Sequence, residues 1–179
     1  VLFRSQICYY CDFAKVYIKN QPVDDYITAL LAEFHAANIS VLKTIYIGGG
    51  TPTALSAPQL DRLLSGITQH LDLSALEEFT VEANPGDLSD DKIAVLKAHH
   101  VNRVSLGVQT FNDKLLKKIG RSHTAQDVFD NIKKLRQAGF ENITIDLIYA
   151  LPTQTLADVK KDVATLLTLD LPHVALYSL

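Results

Sequence analysis

Apolar and polar positions alternate between two periods along this chain. Val23, Tyr26, Ile27, Leu30, Leu31 and Phe34 recur at helical spacing and predict a helix behind Pro22, with Asp24 and Asp25 at its positive end. The short run Thr44-Ile45-Tyr46-Ile47 predicts a strand that ends in Gly48-Gly49-Gly50. Ser56-Ala57-Pro58-Gln59 has the form of a capping box, and it opens a helix that buries Leu60, Leu63, Leu64 and Ile67. The alternation then repeats. Strands are expected at Phe79 to Ala83, Arg103 to Val108, Asn142 to Tyr149 and His173 to Leu179. Between them fall helices with inward faces at Ile93 and Leu96, at Leu115, Leu116 and Ile119, at Val128, Ile132 and Leu135, and at Val159, Val163, Leu166 and Leu167. Ser89, Thr124 and Thr155 mark three helix starts, and Gly139 marks a stop. No linker interrupts residues 1–179, so a single domain of parallel βαβ units is expected.

Strand parity then separates two architectures. Side chains on a strand alternate between faces. One face reads Ile45, Ile47; Val81, Ala83; Val104, Leu106, Val108; Ile143, Ile145, Leu147; Val174, Leu176, all apolar. The other reads Thr44, Tyr46, Gly48; Thr80, Glu82, Asn84; Ser105, Gly107, Gln109; Thr144, Asp146, Ile148; His173, Ala175, Tyr177, and carries polar groups on every strand. A doubly wound sheet is apolar on both faces. A (β/α) barrel with a ligand in its interior accounts for the asymmetry, and its chemistry belongs at the C-terminal strand ends. Gly48, Glu82, Gln109, Asp146 and Tyr177 all lie toward those ends.

Composition narrows the class. With 47% apolar and 21% charged residues, the 179-residue chain can bury a core, and a net charge of −3 argues against a nucleic-acid surface built on bulk basicity. Two cysteines are too few for a disulfide scaffold. No run reaches the roughly 18–20 apolar residues of a membrane span, and no leader pattern is visible, so a cytoplasmic location is expected. The chain has no methionine and begins Val1-Leu2-Phe3-Arg4-Ser5, which points to a fragment.

Three segments carry candidate chemistry. Cys8-Tyr9-Tyr10-Cys11 has the spacing of thiol exchange, of half a zinc site, or of part of an iron–sulfur site. Gly48-Gly49-Gly50-Thr51-Pro52 lets backbone approach a ligand between a strand and a helix. Asp146 lies in an apolar strand, where a buried carboxylate needs a cation, hydrogen-bond donors such as a ribose hydroxyl pair, or an ion pair with Arg103 or Arg121. Glu82 has the same alternatives. His99, His100 and His123 read as surface or loop groups, since no partner spacing supports a metal.

Together with these, Val81 to Gly86, Val101 to Phe111, Gly120 to Thr124 and Ile145 to Pro152 form an ordered series. The series resembles the radical S-adenosylmethionine proteins of the oxygen-independent coproporphyrinogen III oxidase group over nearly the whole chain. Within that group, Asp12-Phe13 resembles the heme-chaperone branch, whereas the dehydrogenases carry a further cysteine near Phe13. The resemblance implies a partial (β/α)6 barrel, truncated at both ends, with a [4Fe-4S] cluster and S-adenosylmethionine. It implies heme or porphyrin as ligand and hemoproteins as acceptors. By motif, Cys8 and Cys11 are expected as cluster ligands, with Tyr10, Gly49, Gly50, Thr51, Glu82, Gln109, Arg121 and Asp146 around S-adenosylmethionine. Coproporphyrinogen oxidation and Cys8–Cys11 thiol exchange are the alternative functions.

One position departs from the motif. The first cysteine of C-x-x-x-C-x-x-C falls at Arg4, and an arginine cannot replace a thiolate. Val1 to Ser5 match the translation of GTG CTC TTC CGA TCT, the end of a common sequencing adapter, so these residues are expected to be non-native. Ala150 and Thr153 stand where glycines are frequent in the group and are expected to be tolerated.

Overall fold

The structure, a computed structural model, describes residues 3–179; Val1 and Leu2, and the expectation about them, lie outside the described residues. A two-residue strand β1 (Phe3–Arg4) pairs in parallel with β2 (Val16–Tyr17). Helix α1 (Val23–Ala36) follows, and the chain then alternates through β3 (Thr44–Ile47), α2 (Ala57–Thr68), β4 (Glu78–Ala83), α3 (Asp90–Ala98) and β5 (Arg103–Gln109). Two helices, α4 (Asp113–Lys118) and α5 (Ala125–Gln137), precede β6 (Asn142–Tyr149), and α6 (Leu156–Thr168) leads to β7 (His173–Ser178).

Strands β3 to β7 form one parallel sheet in consecutive order. A doubly wound sheet reverses its order at a switch point. Consecutive order with right-handed crossovers instead places every helix on one face, as in a barrel. The apolar strand face (Ile45, Phe79, Val81, Val104, Leu106, Ile143 and Ile145) is buried in one core with Ile27 of α1, Leu60, Leu63 and Leu64 of α2, Leu96 of α3, and Val128 and Leu135 of α5. The opposite face holds the polar residues.

Local chemistry fixes the helix starts. Ser56, Thr124 and Thr155 each accept from the third helical amide, while Gln59, Asp127 and Asp158 reach back to the capping residue. Such a cap contributes about 1 kcal/mol. Ser89 occupies the N-cap of α3 without a side-chain bond. Helix α6 corrects the expected inward face: Val163 and Leu167 are 41% and 75% exposed, and the buried residue is Asp162. The helix is rotated so that Asp162 meets the loop after β5, which turns Val163 and Leu167 outward. No helix among the described residues is long and apolar enough to cross a membrane.

Candidate functional site

A cavity of about 490 Å³ opens at the C-terminal ends of the strands, within the usual range for small-molecule sites. Each strand end contributes. The glycine loop after β3 presents Gly49, Gly50 and Thr51, β4 presents Glu82 and continues into Asn84, and β5 presents Ser105, Gly107 and Gln109. Asp146 and Ile148 come from β6, and Tyr177 and Ser178 from β7. Strand pairing aligns them, with Glu82 beside Ser105, Gly107 beside Asp146, and Asp146 beside Ala175. The polar face read from the sequence is therefore the cavity wall.

The glycine loop is shaped by backbone. Gly49 has φ +104, a conformation that L side chains rarely adopt. Its amide donates to Glu82 Oε2 at 3.2 Å, and the Thr51 amide donates to the Phe3 carbonyl at 2.8 Å, which ties the loop to β1. Arg4 lines the cavity and donates from Nη2 to the Gly49 carbonyl at 3.3 Å.

The acidic groups differ in environment. Glu82 accepts from the Tyr46 hydroxyl at 2.6 Å, and burial together with this carboxylate pushes the Tyr46 phenol up. Asp146 accepts from Ser105 at 3.4 Å. Burial and then the neighbouring Glu82 charge push the Asp146 carboxyl up to about 6, against the opposing pull of Ser105 and Arg103. The direct ion pairs considered for Asp146 are not formed. Arg103 is spent on Glu78, Thr80 and Thr144, and Arg121 is spent on Asn84 at 2.8 Å and the Gly107 carbonyl at 2.5 Å.

Arg121, 8% exposed, also joins the cysteine loop to the cavity by donating to Cys8 Sγ at 3.4 Å. Cys11 lines the cavity, whereas Cys8, 2% exposed, turns toward Arg121. The two thiols are free. Tyr10 also faces the cavity, and burial pushes its phenol up despite the nearby Arg121 charge. His123 lies in the expected loop but is buried, and its Nε2 donates to the Val108 carbonyl at 3.2 Å. Of the ten expected site residues, all but Cys8 line this cavity. The Arg4–Gly49 and Arg121–Cys8 contacts were not legible in the sequence, because each joins residues far apart along the chain.

A glycine-rich loop after the first strand of a consecutive parallel sheet, a C-x-x-C whose Cys11 lines the cavity, and carboxylates on the cavity wall at the strand ends define a class. The Radical SAM superfamily model matches residues 5–166, and the chain belongs to that family. Membership implies S-adenosylmethionine and a [4Fe-4S] cluster. The chain is 66% identical over 177 residues to the heme chaperone HemW of Lactococcus lactis subsp. lactis strain IL1403, covering 99% of this chain and 47% of that protein. It is 33% identical over 158 residues to the oxygen-independent coproporphyrinogen III oxidase of Escherichia coli K12, covering 86% of this chain and 35% of that one. The solved coproporphyrinogen III oxidase HemN from Escherichia coli superposes with a TM-score of 0.90 at 29% identity, over 99% of this chain and 42% of that chain. The chain thus spans about half the length of the curated heme chaperones it matches.

The donor set suits one of the two groups the family implies. S-adenosylmethionine fits, since the cavity offers carboxylates, a guanidinium, an amide side chain and a glycine cradle. A cluster on three thiolates does not fit. The sequence contains two cysteines, and a guanidinium stands at the third position. Among the described residues, no group of three or more His, Cys, Asp or Glu could hold a metal ion.

Proposed function

We propose that this chain is the S-adenosylmethionine-binding half of a heme chaperone that binds heme and delivers it to hemoproteins in the cytoplasm. The carrying observation is the phase of the cavity wall: polar side chains from consecutive strands converge on one pocket beside the glycine loop. In this reading Glu82 receives the ligand ammonium, Arg121 faces its carboxylate, and Asp146 accepts from the ribose hydroxyls. Gln109 and Tyr10 border the nucleoside, and Gly49, Gly50 and Thr51 form the cradle. The 66% identity to the Lactococcus heme chaperone supports heme as the cargo.

Cys8 and Cys11 are the proposed metal ligands, and Arg4 leaves their set one thiolate short. The test compares the chain with its Arg4→Cys variant after anaerobic reconstitution with iron and sulfide. The variant is expected to hold a stoichiometric cluster, and the parent little iron. Equal iron in both would overturn the ligand assignment. S-adenosylmethionine binding, measured by calorimetry, is expected in both. Heme titration without coproporphyrinogen turnover supports the chaperone.

The solved coproporphyrinogen oxidase superposes closely enough to support oxidation of that porphyrinogen as a second reading. Thiol exchange draws support only from the Cys8–Cys11 spacing, since both thiols are buried.

A further inference from the structure

Gln109 is strained. Its φ is +68, in the left-handed region that favours glycine, at a register irregularity between Gly107 and Gln109 along the β5–β6 pairing. The residue is 7% exposed and lines the cavity. A strained side chain at a binding site persists only where its surroundings over-determine it. Helix α6 bonds the three residues that follow Gln109.

Asp162 is 6% exposed and is the buried residue of α6. Its Oδ2 accepts from the Thr110 hydroxyl at 2.7 Å, and its Oδ1 accepts from the Phe111 amide at 2.8 Å. One turn earlier, Asp158 Oδ1 accepts from the Asn112 side-chain amide at 3.0 Å. Thr110 Oγ1 also accepts from the Asn112 amide at 3.1 Å, and the Thr110 amide donates to the Val108 carbonyl at 2.9 Å. The three residues that follow Gln109 are therefore each fastened to α6 or to one another. Burying a carboxylate is costly unless its oxygens are satisfied, and here both have donors.

We propose that Asp162 is a positioning residue for the cavity: through Thr110 and Phe111 it holds Gln109 in its strained conformation and thereby sets the nucleoside side of the pocket. The proposal rests on the S-adenosylmethionine reading of that pocket. Without the latch, residues 109–112 relax to an unstrained backbone and the Gln109 amide leaves the wall.

The test uses Asp162→Ala, Asp162→Asn, Gln109→Ala and the Asp162→Ala/Gln109→Ala pair, with two readouts. The first is amide hydrogen exchange of residues 109–112 without ligand. Asp162→Ala is expected to speed it at least tenfold while the strands β3 and β4 stay protected. Asp162→Asn is expected to restore protection, because its Oδ1 still accepts from Phe111 and its amide can donate to Thr110 Oγ1. Where Asp162→Ala does not fold, Thr110→Val removes one of the two bonds and is expected to give a smaller acceleration in the same residues.

The second readout is S-adenosylmethionine affinity by calorimetry. Asp162→Ala and Gln109→Ala are each expected to weaken it about tenfold, and the double variant no further. Unchanged exchange in Asp162→Ala and Thr110→Val, or affinity losses that multiply in the double variant, would overturn the proposal. A parent chain that binds no S-adenosylmethionine sinks the pocket reading instead, and the exchange result alone then decides the latch.

Discussion

The hydroxyl of Tyr46 donates to Glu82 Oε1 at 2.6 Å, so a phenol on β3 and the Gly49 amide grip the two oxygens of one carboxylate on β4. Gly48 makes this possible. A Cβ there would stand 2.7 Å from Tyr46 Cε1 and 2.8 Å from Glu82 Cδ. Gly48→Ala is therefore expected to displace the pair and weaken S-adenosylmethionine binding about tenfold. Tyr46→Phe, which removes one neutral donor to a charged acceptor, is expected to weaken it less. Calorimetry decides; an unchanged Kd in Gly48→Ala would remove Glu82 from the ligand set.

Asp146 should make ligand binding depend on pH near 6. Its folded carboxyl titrates at about 6 against an ordinary 3.8. Hydroxyl groups donate best to the ionised form, so affinity for S-adenosylmethionine is expected to rise as pH increases through 6. Stability runs the other way. A raised carboxyl favours the folded state below its unfolded value, and that contribution is lost as pH rises through 6. Asp146→Asn is accordingly expected to flatten the binding profile. At pH 8 it should raise Tm by about 2–4 °C, the shift that about 1 kcal/mol gives in a domain of this size. A profile that keeps its step in Asp146→Asn would assign the titration to another group.

The cavity wall was legible because a strand has period two and five strands share one phase; Glu82 and Asp146 follow from parity alone, whereas Gln109 reaches the wall at the register irregularity of β5 with β6. The capping boxes were legible because Ser56, Thr124 and Thr155 act within one turn. Helix α6 misled for a complementary reason. Its apolar stripe is broad, and only the docked orientation shows that Asp162 faces inward while Leu167 does not. Nor does sequence register show that Arg121 reaches Cys8, since those residues meet only through tertiary folding.

Ala150 and Thr153 are accommodated at a cost. Their φ values are +62 and +68, so both hold the left-handed backbone that glycine adopts freely. The conformation costs an L-residue about 1–2 kcal/mol, part of which glycine returns through its freer unfolded chain. Ala150→Gly is expected to stabilise the chain by about 0.5–1 kcal/mol in urea unfolding. Thr153→Gly should gain less, because it also loses the bond that Lys118 Nζ donates to Thr153 Oγ1 at 3.0 Å. A destabilised Ala150→Gly would show that the strand-end loop is not strained.

His123 should make the fold acid-sensitive. Burial, reinforced by the Arg121 charge, pulls its imidazole down to about 4 from 6.5. The Val108 carbonyl fixes the proton on Nε2, and Nδ1 is buried without a partner among the described residues, so a second proton finds no acceptor. A depressed histidine contributes stability above its unfolded value of 6.5 and loses it as pH falls toward 4. Asp146 opposes this in much of the same window, so the measurement belongs in the Asp146→Asn background. There, stability is expected to fall by on the order of 2 kcal/mol between pH 7 and pH 4. His123→Gln, which can keep a donor to Val108 without titrating, should shrink that fall. An equal slope in both chains would mean that the proton is taken up elsewhere.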